Sequence, residues 1–247
     1  MKLFEIIAHR GLTTHAPENT IEAFQLALDH RADGVEMDVR LSADGIPVVY
    51  HYTYLTGFTD TQGVIFDFTL DEIRKVRIPC KQDPQVPLGQ ISTLREVLEL
   101  FAGKMALEIE IKGPEPEAPQ IIGEILLEYQ QHWPMMEITS FEPTLLLTIQ
   151  KAYPGITCDL LFPRSEAWMG LDVVQYLAAQ RARLANARAV HLHPSQLNEE
   201  VVACVRQHGI EIHAWDVNTI DDLKLCKRLG IPRICTDKYE QARAFLE

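Results

Sequence analysis

The stretch that decides the fold is Gly34-Val35-Glu36-Met37-Asp38-Val39-Arg40, and Leu107-Glu108-Ile109-Glu110-Ile111-Lys112 repeats its pattern further along the chain. Side chains alternate sides along a strand, so Val35, Met37 and Val39 share one face and Glu36, Asp38 and Arg40 the other. Leu107, Ile109 and Ile111 likewise oppose Glu108, Glu110 and Lys112. The apolar faces must be covered, and helices would do this in an α/β protein. In a barrel the charged faces would then point to the axis. For these two strands alone, a solvated face of an antiparallel sheet, ion-paired through Arg40 and Lys112, is the simpler alternative.

The flanking sequence favours the barrel. Strand signals fall at Leu3–Ala8, Val35–Arg40, Met105–Ile111, Glu137–Ser140, Ile156–Leu161, Arg188–His193, Ile210–Trp215 and Arg233–Thr236. Helix signals fall between them, at Thr20–His30, Thr93–Phe101, Ala118–Tyr129, Pro143–Ala152, Asn198–His208 and Ile220–Leu229. Thr93 and Glu96 form a capping box at the start of one helix. Eight strand–helix units in 247 residues predict a (β/α)8 TIM barrel. A doubly wound open sheet is the structural competitor, since alternation alone does not require closure.

One segment breaks the alternation. Ile46–His51 reads as a strand separated from the one before it by Ser42-Ala43-Asp44-Gly45, and an Asp-Gly turn is a strong hairpin signal. It predicts an arm folded over the barrel mouth. Residues 52 to about 92 then form a small insertion after the second barrel strand. Its Tyr52, Tyr54, Phe58, Phe66 and Phe68 suit either a core for the insertion or a lid, and packing is the preferred reading. Residues 1–247 are expected to form a single barrel domain.

The chain carries 23 Lys+Arg against 35 Asp+Glu, a formal charge of −12, with 47% hydrophobic and 23% charged residues. This is globular composition, and the acidic balance argues against nucleic acid as a partner. No stretch has the length of a transmembrane span, and the start leaves no room for a signal-peptide core, so no stable membrane insertion is expected. Five cysteines, none spaced C-x-x-C, suit a reduced cytoplasmic protein.

Glu36, Asp38 and Glu110 at the C-terminal ends of neighbouring strands would be hard oxygen ligands for Mg²⁺ or Ca²⁺. His9-Arg10-Gly11 follows the first strand directly, where barrel active sites lie. His51, at the end of the hairpin arm, could return to the same place. Two imidazoles suit an acid/base pair, although any one His also has a structural explanation. Asn19-Thr20 fits a helix N-cap equally well. His191-x-His193 could be a metal pair, but the carboxylate set needs no second group of ligands. His213 is expected to line the barrel interior.

In their order along the chain, His9-Arg10-Gly11, Pro17-Glu18-Asn19-Thr20, Glu36-x-Asp38-Val39, Asp44-Gly45 and His51 resemble the glycerophosphodiester phosphodiesterases. Glu110-Ile111-Lys112, Ser140-Phe141, Trp215-Asp216-Val217-Asn218 and Thr236-Asp237 extend the resemblance over nearly the whole chain. It implies a cytoplasmic enzyme that hydrolyses small-molecule glycerophosphodiesters to sn-glycerol 3-phosphate and an alcohol. It also implies one divalent cation on Glu36, Asp38 and Glu110, with His9 and His51 as the acid/base pair. Arg10 and Lys112 resemble phosphate contacts, and Phe141 and Trp215 apolar pocket walls. Glu18 and Asn19 take supporting roles, and a homodimer stays open.

The chain departs from that family's usual pattern at Tyr52 (usually Asp), Gly57-Phe58-Thr59 (usually Arg-Thr-Thr), Asp216 (usually Thr) and Lys238 (commonly Tyr). These positions concern substrate choice more than chemistry. A diesterase for a lysophospholipid and a non-catalytic phospholigand-binding barrel are the alternative expectations.

Overall fold

The structure, a computed structural model, describes residues 4–246. Leu3, the expected start of the first strand, lies outside them. The strands are β1 (Glu5–Ala8), β2 (Gly34–Leu41), β3 (Pro47–Val49), β4 (Arg77–Ile78), β5 (Gly89–Gln90), β6 (Ala106–Ile111), β7 (Met136–Ser140), β8 (Thr157–Leu161), β9 (Ala189–Leu192), β10 (Glu211–Ala214) and β11 (Arg233–Thr236). The helices are α1 (Ile21–Asp29), α2 (Leu70–Ile73), α3 (Leu94–Phe101), α4 (Ala118–Leu127), α5 (Pro143–Ala152), α6 (Leu171–Leu184), α7 (Glu199–Gln207), α8 (Ile220–Leu229) and α9 (Tyr239–Leu246).

The parallel order β1-β11-β10-β9-β8-β7-β6-β2 closes on itself because β1 also pairs with β2. The fold is therefore a (β/α)8 barrel, and the open-sheet alternative is excluded. Closure rests on a small residue: a Cβ on Gly34 would lie 2.5 Å from the Ala106 carbonyl oxygen, so only glycine fits between β2 and β6 there.

The apolar strand faces look outward, as the alternation requires. Val35, Met37, Val39, Leu107, Ile109 and Ile111 join one buried cluster with Phe24 of α1, Leu98 and Phe101 of α3 and Ile122 of α4. Helix ends follow their sequence signals: Thr20 caps α1 by accepting from Ala23 N–H, and Thr93 and Glu96 close a capping box on α3. Helices α6 and α9 had no separate sequence prediction.

The Asp44-Gly45 turn makes the expected hairpin, with β3 antiparallel to β2 and Leu41 opposite Pro47. Residues 52–92 hold α2 and the short β4–β5 pair around a second buried cluster containing Tyr50, Leu55, Ile65, Ile73, Val76 and Ile78. Tyr52 and Phe68 pack against that cluster, whereas Tyr54 and Phe66 are exposed. Phe58 stacks on Tyr52 with ring centroids 3.6 Å apart. The insertion's aromatics thus divide between packing and surface. No helix among the described residues is long and apolar enough to cross a membrane.

Candidate active site

Strand register brings the acidic residues together. Asp38 lies opposite Glu110 across β2–β6, and Glu36 sits two residues before Asp38 on the same inward face. All three are buried, and a carboxylate oxygen from each falls within 4.8 Å of the others. Arg10 Nε is 3.1 Å from Asp38 Oδ2, while Lys112 Nζ is 3.3 Å from Asp38 Oδ1 and 2.9 Å from Glu110 Oε1. Two cations against three carboxylates leave a local negative balance.

The proton affinities reflect that imbalance. Burial opposes Asp38's charge, but Arg10 and Lys112 outweigh it and hold the carboxyl far below its usual range. Burial and the Asp38 charge push Glu36 well up. Burial lifts Glu110 to about 7, against the pull of Lys112. Asp38 Oδ1 is buried with no hydrogen-bond partner among the described residues. A set of crowded oxygen donors with spare lone pairs fits a hard divalent cation.

The loops after β1 and β11 supply the rest. Arg10 has φ 56° and Gly11 φ 86°, and a Cβ on Gly11 would meet the Ala23 backbone at 2.7 Å, so this turn needs glycine. The turn places the Arg10 N–H 3.1 Å from Glu36 Oε2. Thr20 takes the helix cap and leaves Asn19 free to donate to Asp38 Oδ2 at 2.7 Å and to accept from Asp38 N–H at 3.2 Å. Glu18 links Arg10 to Lys81.

His9 and His51 line the same hollow of about 130 Å³, with Arg10, Glu36, Glu110, Lys112, Phe141 and Trp215. Burial alone would lower the His9 pKa, but the hydrogen bond to Asp237 and the Glu36 charge raise it to about 9. His51 goes the other way. Burial and the charges of Arg10 and Lys112 lower it to about 3 despite Asp38. Its Nδ1 and the Trp215 Nε1 are buried without hydrogen-bond partners among the described residues. Phe141 and Trp215 meet edge-to-face at 6.1 Å and form an apolar wall.

All the sequence-predicted site residues thus converge, and Asp237, which the sequence marks only as part of the Thr236-Asp237 motif, joins them as a central partner. Asp237 Oδ1 lies 2.6 Å from His9 Nδ1, and Asn218 Nδ2 donates to Asp237 Oδ2 at 2.8 Å. Barrel closure was the available signal: Ala8 pairs with Thr236, so residues 9 and 237 emerge side by side. His191 and His193 do not form a pair. His193 turns to Ser195 and Trp215, whereas His191 lies inside the barrel against His213.

The sequence profile of the glycerophosphoryl diester phosphodiesterase family matches residues 9–241. The chain belongs to that family. A glycerophosphodiester phosphodiesterase from Caldanaerobacter subterraneus subsp. tengcongensis is 32% identical over 95% of this chain and 94% of its own. An Oleispira antarctica phosphodiesterase, solved with the product sn-glycerol 3-phosphate, is 28% identical with a TM-score of 0.83, covering 98% of this chain and 96% of that one. A Thermotoga maritima glycerophosphodiester phosphodiesterase has 27% identity and a TM-score of 0.76, covering 98% and 97%.

In this family member, Asp237 holds the His9 ring by a hydrogen bond and is itself held by Asn218. Asp237→Asn removes the charge that keeps His9 protonated, so the His9 pKa falls from about 9. If His9 acts as an acid, the alkaline limb of the kcat profile moves to lower pH, and activity recovers in part on acidification. A pH–rate series of both proteins checks this. An unmoved limb would show that Asp237 does not govern the proton on His9.

Proposed function

We propose that this protein hydrolyses glycerophosphodiesters to sn-glycerol 3-phosphate and an alcohol, with Glu36, Asp38 and Glu110 holding one divalent cation, Mg²⁺ or Ca²⁺. The observation that carries this reading is the pairing, in one hollow, of three crowded carboxylates with two imidazoles of opposite proton affinity. When bound, the cation would polarise a phosphate oxygen and lower the pKa of an attacking hydroxyl. Arg10 and Lys112 bind the remaining phosphate charge, where fixed cations help most as charge builds on the oxygens. Lys112 can serve because it is already held at the carboxylates' edge.

His51, neutral at pH 7, accepts the proton of the attacking hydroxyl, from either water or the substrate's own 2-hydroxyl. His9, protonated and held by Asp237, delivers a proton to the leaving alkoxide. A nearby cation would lower both imidazole pKa values. Trp215 and Phe141 wall the glycerol, and the orphaned Trp215 N–H supplies a donor for one of its oxygens. Glu18 and Asn19 support the first loop by fixing Arg10 and Asp38.

The departures from the family pattern gather on one side. Lys81 sits 4.5 Å over the Tyr52 ring, and a hollow of about 360 Å³ is lined by His9, Glu18, Lys81, Asp216, Asp237 and Lys238. This side receives the alcohol group. Residues 1–247 work as one barrel domain with the insertion, about 52–92, as part of the substrate side. The free cysteines support a cytoplasmic setting.

Exposed Tyr54 and Phe66 on the insertion favour lysophospholipid cleavage as the second reading. Product analysis separates the two. Glycerophosphoethanolamine should yield glycerol 3-phosphate much faster than a lysophospholipid yields acyl glycerophosphate. The reverse order would overturn the first reading.

A further inference from the structure

Branched apolar side chains usually fill the centre of such a barrel, but here charge fills it beneath the candidate active site. Glu108, Glu137, Asp159, His191 and His213 are all buried. Arg188 bonds Glu137 and Asp159, and Arg233 bonds Glu137. Burying such a set is costly unless its charges are matched. Against its own burial, Glu108 and Asp159 lift the His191 imidazole to about 10, so beside the two guanidiniums the third positive charge is a proton there or a metal ion in its place.

The two imidazoles meet at the centre of this set. His191 Nε2 and His213 Nδ1 face each other at 3.1 Å, and Asp159 Oδ2 lies 3.4 Å from the first and 3.7 Å from the second. A tetrahedral zinc ion with bonds of about 2.0–2.1 Å spaces its ligands roughly 3.3–3.4 Å apart, so the three edges bracket that spacing. Each ring also meets a carboxylate at its far nitrogen. His191 Nδ1 is 3.3 Å from Glu108 Oε1, and His213 Nε2 is 3.7 Å from Glu211 Oε2. Metal-bound histidines characteristically carry such a carboxylate, which fixes the tautomer. The near nitrogens lie within hydrogen-bond distance of each other, so the gap between them holds either a shared proton or a metal ion in its place.

Glu137 offers a fourth donor within 4.8 Å of the others, and its Oε1 is buried without a hydrogen-bond partner among the described residues. We propose that Glu137, Asp159, His191 and His213 form a second metal site, for a tetrahedral nitrogen-preferring ion such as Zn²⁺. It is distinct from the three-carboxylate site, whose donors are all oxygen. The ion would tie β7, β8, β9 and β10 together. Access runs through the hollow of about 240 Å³ lined by Glu137, Arg188 and Arg233, with the partly exposed Arg188 swinging aside. Asp159 Oδ2 already accepts from Arg188 and keeps its other lone pair for the ion.

Cobalt substitution tests the site in the full chain. Metal-depleted protein in excess Mg²⁺, which occupies the carboxylate set, is titrated with Co²⁺ and followed by visible absorption, then displaced with Zn²⁺. The expected result is an intense tetrahedral band saturating at one equivalent. It is kept in Glu36→Gln, lost in His213→Gln, and needs roughly ten- to hundredfold more metal in Glu211→Gln. Glu211 is largely exposed, so that variant keeps its fold and decides the matter if His213→Gln does not. Absence of the band, its loss in Glu36→Gln, or unchanged affinity in Glu211→Gln would overturn the proposal. A proton shared between the two imidazoles would then fill the gap.

Discussion

Glu110→Gln is expected to lower phosphodiesterase activity by on the order of a hundredfold or more while leaving the protein folded. The side chain keeps its shape and loses a charge that the site already resists, since burial lifts the Glu110 carboxyl to about 7. An amide in its place therefore imposes no new burial penalty, and its N–H₂ can turn to Asp38. What disappears is one of three anionic ligands. The same variant should lose the gain in thermal stability that Mg²⁺ or Ca²⁺ gives the parent protein, because a ligand stabilises only the state that binds it. Melting curves with and without cation, beside initial rates, measure both effects. Full activity in Glu110→Gln would remove the carboxylate set from the chemistry.

The second large effect separates the two histidines. His51→Ala and His9→Ala should each cost about 10²–10⁴-fold on a glycerophosphodiester with an alkyl alcohol. Their dependence on the leaving group should differ. An acid is needed only when the departing alkoxide is strongly basic, so a nitrophenyl diester should rescue most of the loss in His9→Ala. His51→Ala should stay slow with both substrates, because the attacking hydroxyl must still lose its proton. The assignment follows from surroundings that pull the two pKa values apart, to about 9 beside Asp237 and to about 3 beside Arg10 and Lys112. Rescue of His51→Ala in place of His9→Ala would reverse the roles.

The fold was legible because strand alternation is a local property. Each of the eight barrel strands announced itself, and the mixed faces of β2 and β6 pointed to a charged interior. The carboxylate set was legible for the same reason, since Glu36, Asp38 and Glu110 are strand residues whose direction follows from period two. The His9–Asp237 contact was harder to read. It spans 228 positions and exists only because β11 returns to pair with β1. The pairing of His191 with His213, in place of His193, also depends on register between strands. Helices α6 and α9 lacked a distinct sequence prediction, and α6 carries Arg181 and Arg183 with alanines in place of a strong apolar stripe. The negative charge of the whole chain was a poor guide to an anionic substrate, because a cation on the three carboxylates, with Arg10 and Lys112 beside them, would set the field that the phosphate meets.

The most direct measurement is ³¹P NMR of the metal-depleted protein mixed with glycerophosphoethanolamine, before and after addition of Mg²⁺ or Ca²⁺. The account predicts an unchanged diester signal at first, then its conversion to sn-glycerol 3-phosphate once either cation is present. Conversion at full rate without cation, or an unchanged diester with both, would contradict it.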